Sequence, residues 1–192
     1  MDDSVKMDFY KAVYGSIGSD ADKKKSLLYM QKHKAMTDLR VKFNQKYPNE
    51  NKIPMGSGNY NSNLVIATEK PMLPEQRSFY NKLMKAANYA THRVFLTVWT
   101  RCSILTCEEN QAMLAEEIAI INPLVVLFIP NRHASWIPYQ FVKHEMTEFF
   151  GRPFLTTVGF DDVLNAEEKN QKRLKLAMLS DLKQLSSYYI MS

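Results

Sequence analysis

Arg77, Arg101, Arg132 and Arg152 fall at or near places where apolar, strand-like runs end. A guanidinium there is suited to gripping phosphate oxygens, and ordinary surface arginines are the other reading of the same residues. Trp136 lies close behind Arg132 and His133, placed either to wedge against a nucleobase or to anchor a core with its polar edge outward. Glu69 and Lys70 directly follow the apolar run 63–67. A carboxylate in that place either takes part in catalysis or simply caps the next turn or faces solvent. Asp161 and Asp162 offer two more carboxylates after a later strand. Cys102 and Cys107 are the two cysteines of the chain. They cannot build a disulfide framework, nor by themselves hold zinc or an iron–sulfur cluster, and they read as reduced thiols in or near a core.

The elements that must position these groups alternate in type. Residues 1–17 have weak helical spacing through Met7, Tyr10, Val13 and Tyr14, and a break follows at Gly15 to Asp20. The spacing over 22–47 predicts a longer amphipathic helix, with Leu27, Leu28, Met30, Met36, Leu39, Val41 and Phe43 as its apolar side. Strands are expected at 63–67, 93–100, 123–129 and 153–158. Helices are expected at 75–88, 108–121, 135–150 and 167–188. The run Pro123 to Ile129 has no polar alternation, so both of its faces should be buried. Strands that alternate with helices imply a three-layer αβα domain around a four-stranded parallel sheet. Such a sheet places ligands beyond the carboxyl ends of its strands, which directs attention to loops 68–78, 100–107, 130–134 and 159–165. The chain divides into an N-terminal helical extension, 1–50, and an α/β domain, 51–192.

Hydrophobic residues make up 45% of the 192, enough for a proper core. No apolar run approaches the roughly 20 residues of a membrane helix, so no membrane association is expected. The acidic start Met1-Asp2-Asp3-Ser4 lacks the pattern of a secretory signal, which points to a cytoplasmic protein. The net charge of +5 mildly favours an anionic partner such as DNA. Lys23, Lys24, Lys25, Lys32, Lys34, Arg40, Lys42 and Lys46 crowd the N-terminal quarter, as either a docking surface or a solvated helix face.

Two stretches carry a family likeness. Gly56-Ser57-Gly58-Asn59, an apolar strand and then Glu69-Lys70-Pro71 are similar to the Gly-x-Gly-Asn … Gly-Glu-Ala-Pro segment of the bacterial and archaeal iron–sulfur uracil-DNA glycosylases. Arg77-Ser78-Phe79 resembles that family's Arg-Pro-Phe. Val94 to Cys102 resembles its strand ending Thr-Asn-x-x-Lys-Cys, and Asn165 to Leu182 its closing helix. The likeness spans roughly residues 55–185.

The resemblance implies a uracil-DNA-glycosylase-like fold in which Glu69 holds the carboxylate position and Phe79 the base-stacking position. Arg77 and Arg101 flank the pocket, while Lys70, Arg132, Trp136 and Arg152 meet DNA. It also exposes what is missing. Val98 stands where an asparagine should read uracil, and Gly159 where a histidine should stabilise the departing anion. Only Cys102 matches a cluster ligand, with Asn110 near another, so no iron–sulfur cofactor and no metal is expected. A looser likeness to the psi accessory subunit of bacterial DNA polymerase III rests on Leu64 to Ala67, Pro71 to Pro74 and the Asn165 to Leu182 helix. Three functions follow as expectations. The first is a DNA-associated binding or adaptor protein that has lost glycosylase activity and docks a protein partner through residues 22–47. The second is a diverged glycosylase using Glu69 and Phe79, with Asp161 or Asp162 adding stabilisation. The third is a replisome accessory subunit.

Overall fold

A computed structural model of the chain describes residues 20–48, 55–101, 105–130 and 144–190. The helix expected within 1–17 lies outside them. Helix α1 (Asp20–Lys46) is followed by β1 (Ser57–Gly58), β2 (Leu64–Thr68), α2 (Pro74–Ala86), a 3-10 turn (Thr91–Arg93), β3 (Phe95–Val98) and α3 (Cys107–Ile121). Then come β4 (Val125–Ile129), β5 (Met146–Phe149), β6 (Arg152–Thr156), α4 (Phe160–Leu164), α5 (Glu168–Gln184) and α6 (Ser186–Ile190).

The six strands form one mixed sheet in the order β1-β3-β2-β4-β6-β5. Strands β3, β2, β4 and β6 run parallel, with Val65 opposite Phe95 and Val126, and Leu127 opposite Leu155. The two edges are antiparallel, and the expectation of four strands, all parallel, omits them. Edge strand β1 pairs with β3 through Ser57 and Gly58. Edge strand β5 pairs with β6 across a two-residue turn, Phe150-Gly151, in which both residues have positive φ. A two-residue turn of that kind matches the twist of the flanking strands. It also corrects the end of the helix expected over 135–150, because residues 146–149 are strand; residues 135–143 lie outside the described residues. Met146, Phe149 and Phe150 have the i, i+3, i+4 spacing of a helix, and Gly151 was the local signal for a hairpin.

The central strands are buried on both faces because helices cover both. Val65, Ala67, Val126, Phe128 and Phe154 point into one apolar cluster with Leu114, Ile118 and Ile121 of α3. Leu64, Ile66, Val125, Leu127 and Leu155 point into the other, with Tyr80, Leu83 and Met84 of α2 and Met178 and Leu182 of α5. Helix α1 joins the first cluster through Met36, Leu39 and Phe43, at the spacing of one helical face. Tyr29 and Lys32 continue that stripe. Tyr29 meets Tyr60 edge-on at 5.3 Å, and Lys32 Nζ donates to the carbonyl of Ile121 at 2.6 Å. A cation suits the carboxyl end of a helix, and burial pulls the Lys32 ammonium below its ordinary pKa. Leu27, Leu28 and Val41 lie off the stripe and stay exposed, so α1 has a narrower apolar face than its composition suggests.

Helix α3 begins at Thr106, whose hydroxyl accepts the Glu109 N–H while the Glu109 carboxylate accepts the Thr106 N–H. This reciprocal cap satisfies two N–H groups that the first turn leaves open. The helix ends at Asn122, in the left-handed conformation.

Candidate functional site

The carboxyl ends of the parallel strands lie in one row. Helices α2 and α3 leave β2 and β3 on opposite faces of the sheet, so the direction of winding changes between β2 and β4. That change is the place where open α/β sheets hold ligands. Glu69 sits on it, next after β2. Its N–H donates to the carbonyl of Ile129 at 3.3 Å, and its carbonyl accepts from Thr100 N–H at 3.0 Å. Trp99 N–H donates to Thr68 O at 2.7 Å. Strand pairing therefore runs one step past the regular sheet, and β2 and β4 do not splay apart at this level. Glu69 is buried, and the exposed Lys70 beside it accepts through its carbonyl from Thr68 Oγ1. Val98, the last residue of β3, pairs in register with Thr68 and brings an apolar side chain to the rim.

Gly159 follows β6 and opens α4. A Cβ at this position would lie 2.4 Å from the carbonyl oxygen of Pro130. Only glycine fits so close an approach of backbone to backbone. The Asp162 carboxylate accepts the Gly159 N–H, and Asp161 accepts from Gln76 Nε2 of α2 at 2.7 Å. Both aspartates thus hold α4 in place. Phe79 is half-buried. Its ring meets Phe160 edge-on at 5.9 Å, with Lys175 Nζ 5.9 Å from its centroid. The stacking residue expected from the resemblance is engaged between α2, α4 and α5. Arg77 is exposed on the first turns of α2.

Two arginines depart from the sequence reading. Arg152 begins β6, so it stands at the amino end of the parallel strands, where its guanidinium reaches the Asn122 side chain. Arg101 is fully buried. Its Nη2 donates to Thr97 Oγ1 and to the Glu117 carboxylate, and Thr97 Oγ1 donates to the same carboxylate. Burial pushes the Arg101 guanidinium below its ordinary pKa, and Glu117 pushes it back up. The other Glu117 oxygen accepts the Gly56 N–H at 3.1 Å, and Arg40 of α1 donates to Gly56 O at 2.9 Å. Gly56 can take this place because it has no side chain; a Cβ would meet the Phe95 ring at 2.4 Å. Arg101 ties α1, β3 and α3 together and does not face a ligand. Asn110 brackets the same corner, accepting the Arg101 N–H and donating to Leu105 and Thr106 carbonyls. Arg132, His133 and Trp136 lie outside the described residues, as does Cys102.

One cluster escaped the sequence. His144 belongs to no helix. It precedes β5 with φ +68°, and its N–H donates to Thr156 O at 2.7 Å. Its Nδ1 lies 2.8 Å from the buried carboxylate of Asp181 on α5, which also accepts from Thr157 Oγ1. A carboxylate on one ring nitrogen orients the imidazole, which stays partly exposed. His144 and Asp181 are 37 residues apart, and no local pattern links them. Among the described residues, no group of three or more His, Cys, Asp or Glu side chains is arranged to hold a metal ion. Cys107 is exposed. No described helix is long and apolar enough to cross a membrane. No protein-family model matches the chain, and comparison with curated proteins finds no significant relative.

Proposed function

We propose that the chain is a uracil-DNA-glycosylase-like domain without glycosylase activity, acting as a DNA-associated binding or adaptor protein. The observation that carries this reading is the rim itself. Glu69, Val98 and Gly159 all lie at carboxyl ends of parallel strands of one sheet, and neither Val98 nor Gly159 carries a side-chain donor or acceptor with which to read or release a base. Val98 offers no donor or acceptor, and a site that discriminates through hydrogen bonds loses its selectivity without them. The Pro130 carbonyl occupies the space that any side chain at position 159 would need. The adaptor side of the reading is favoured by α1, whose first turns, residues 21–29, are exposed and carry Lys23, Lys24, Lys25, Leu27 and Leu28.

The test is an excision assay on single- and double-stranded oligonucleotides carrying uracil, hypoxanthine or a mismatch, with Glu69→Ala as control. The expected result is no excision above the protein-free rate. Excision that disappears in Glu69→Ala would make this an active glycosylase with a rebuilt pocket.

A further inference from the structure

Helices α2 and α5 lie side by side on one face of the sheet. Tyr89, just past α2, donates through its hydroxyl to Leu182 O of α5 at 2.7 Å, and Lys175 of α5 sits over the Phe79 ring of α2. The outer side of α5 presents Lys169, Lys172, Arg173, Leu176, Ser180 and Lys183, all exposed. Their spacing places all six on one stripe of the helix. Lys82 and Lys85 continue the charge on α2, with Arg77 at its flank. The carboxylates of these two helices, apart from the buried Asp181, are Glu75 and Glu168, both confined to first turns. Among the described residues, no carboxylate pairs with Lys169, Lys172, Arg173 or Lys183.

We infer that the α2/α5 face is a docking surface for duplex nucleic acid, contacted through the phosphate backbone without regard to sequence. The inference rests on the DNA-associated reading above and names the surface that would serve it. Charge of one sign along about 21 Å of helix, at 1.5 Å per residue, complements a polyanion. Neither α2 nor α5 exposes an aromatic ring, since Phe79 is half-buried and Tyr80 buried. Single strands are held by stacking on such rings, so the face suits a duplex. The lysine run at the start of α1 is a poorer fit. Lys23, Lys24 and Lys25 are consecutive, so they point about 100° apart around the helix and form no stripe.

The experiment is a fluorescence-anisotropy titration of a mixed-sequence labelled duplex against salt. It compares the wild type, K169A/K172A/R173A/K183A, K169R/K172R/K183R and K23A/K24A/K25A. Four lost phosphate contacts should lower the slope of log K against log salt by about 3.6, and weaken binding at 0.1 M salt by about 10²- to 10³-fold. The arginine variant should bind as the wild type does. Two double variants, K169A/K172A and R173A/K183A, should each show about half the slope change, which keeps the test independent of how the quadruple variant folds. If the four-alanine variant keeps the wild-type slope while the α1 variant loses binding, the inference fails and the DNA-associated reading stands. If the wild type binds no duplex at any salt, both fail. Binding of polyglutamate or phosphatidylserine vesicles in place of duplex would overturn the inference in favour of another polyanion.

Discussion

On the α1/α3 side of the sheet, Arg101 is sealed from solvent against Glu117 and Thr97. On the α2/α5 side, Lys169, Lys172, Arg173 and Lys183 stand in water with no carboxylate partner among the described residues. The interior of the second side is built from apolar groups around Leu64, Ile66 and Leu127, with the Asp181 carboxylate buried against His144 and Thr157 and the cations kept outside. The first side carries an ionic network into its interior, where it joins α1, the Gly56 backbone, β3 and α3. The same kind of residue is therefore an internal tie on one layer and a free cation on the other. An arginine at a strand end is not evidence of phosphate binding until its burial is known.

The sharpest way to break this contrast is Glu117→Ala. It would leave the Arg101 guanidinium buried without its counter-ion, and should cost about 3–5 kcal/mol in urea denaturation. Replacing the pair together, as Arg101→Met with Glu117→Leu, should recover most of that loss. A Glu117→Ala variant within about 0.5 kcal/mol of wild type would mean that the network is not a structural tie. The exposed cations of α5 should behave oppositely, each alanine changing stability by less than about 0.5 kcal/mol.

A smaller effect is expected at the rim, from Gly159→Ala. Its methyl would meet the Pro130 carbonyl, and the forced shift should destabilise by about 1–3 kcal/mol, read as a lowered denaturation midpoint. An unchanged midpoint would show that the rim has room for a side chain, and would weaken the case against a catalytic group at this position.

The smallest effect is expected at the cap of α3. The Thr106 N–H, then the Tyr47 hydroxyl and Lys46, hold the exposed Glu109 carboxyl below its ordinary pKa. A lowered folded pKa contributes stability that is present above the unfolded value and is lost as pH falls through the folded one. Glu109→Gln should therefore flatten the acid limb of the stability profile, while leaving the neutral and alkaline limbs parallel to wild type. A wild-type acid limb in this variant would remove Glu109 from the account.

Much of the frame was legible because local pattern and burial agree in it. Leu64 to Thr68 and Val125 to Ile129 are apolar at every or nearly every position, short and rich in β-branched residues, as a strand covered on both faces requires. Thr106 and Glu109 announce the start of α3. The edges were less legible. Strand β5 lies in a stretch whose apolar residues also fit helical spacing, and β1 is two residues long.

The strand-end positions were legible; the contacts that each side chain makes there were not. Glu69, Val98 and Gly159 fall at strand ends in sequence and in space. Phe79 proves to be committed to Phe160, and Arg152 lies at the opposite end of the sheet. The Arg101–Glu117 and His144–Asp181 pairings join residues 16 and 37 apart. No local periodicity encodes contacts of that kind.

By itself, then, the sequence determined the alternation of strands and helices from β2 to β4, the doubly buried central strands and the net positive charge. These follow from side-chain type and short-range spacing. Tertiary structure alone decided which cations are sealed and which are free, and which glycine admits no side chain. It also decided which histidine meets a carboxylate. Those outcomes depend on the packing of distant segments against one another, because burial and counter-ion distance determine whether a charged group is available to a ligand.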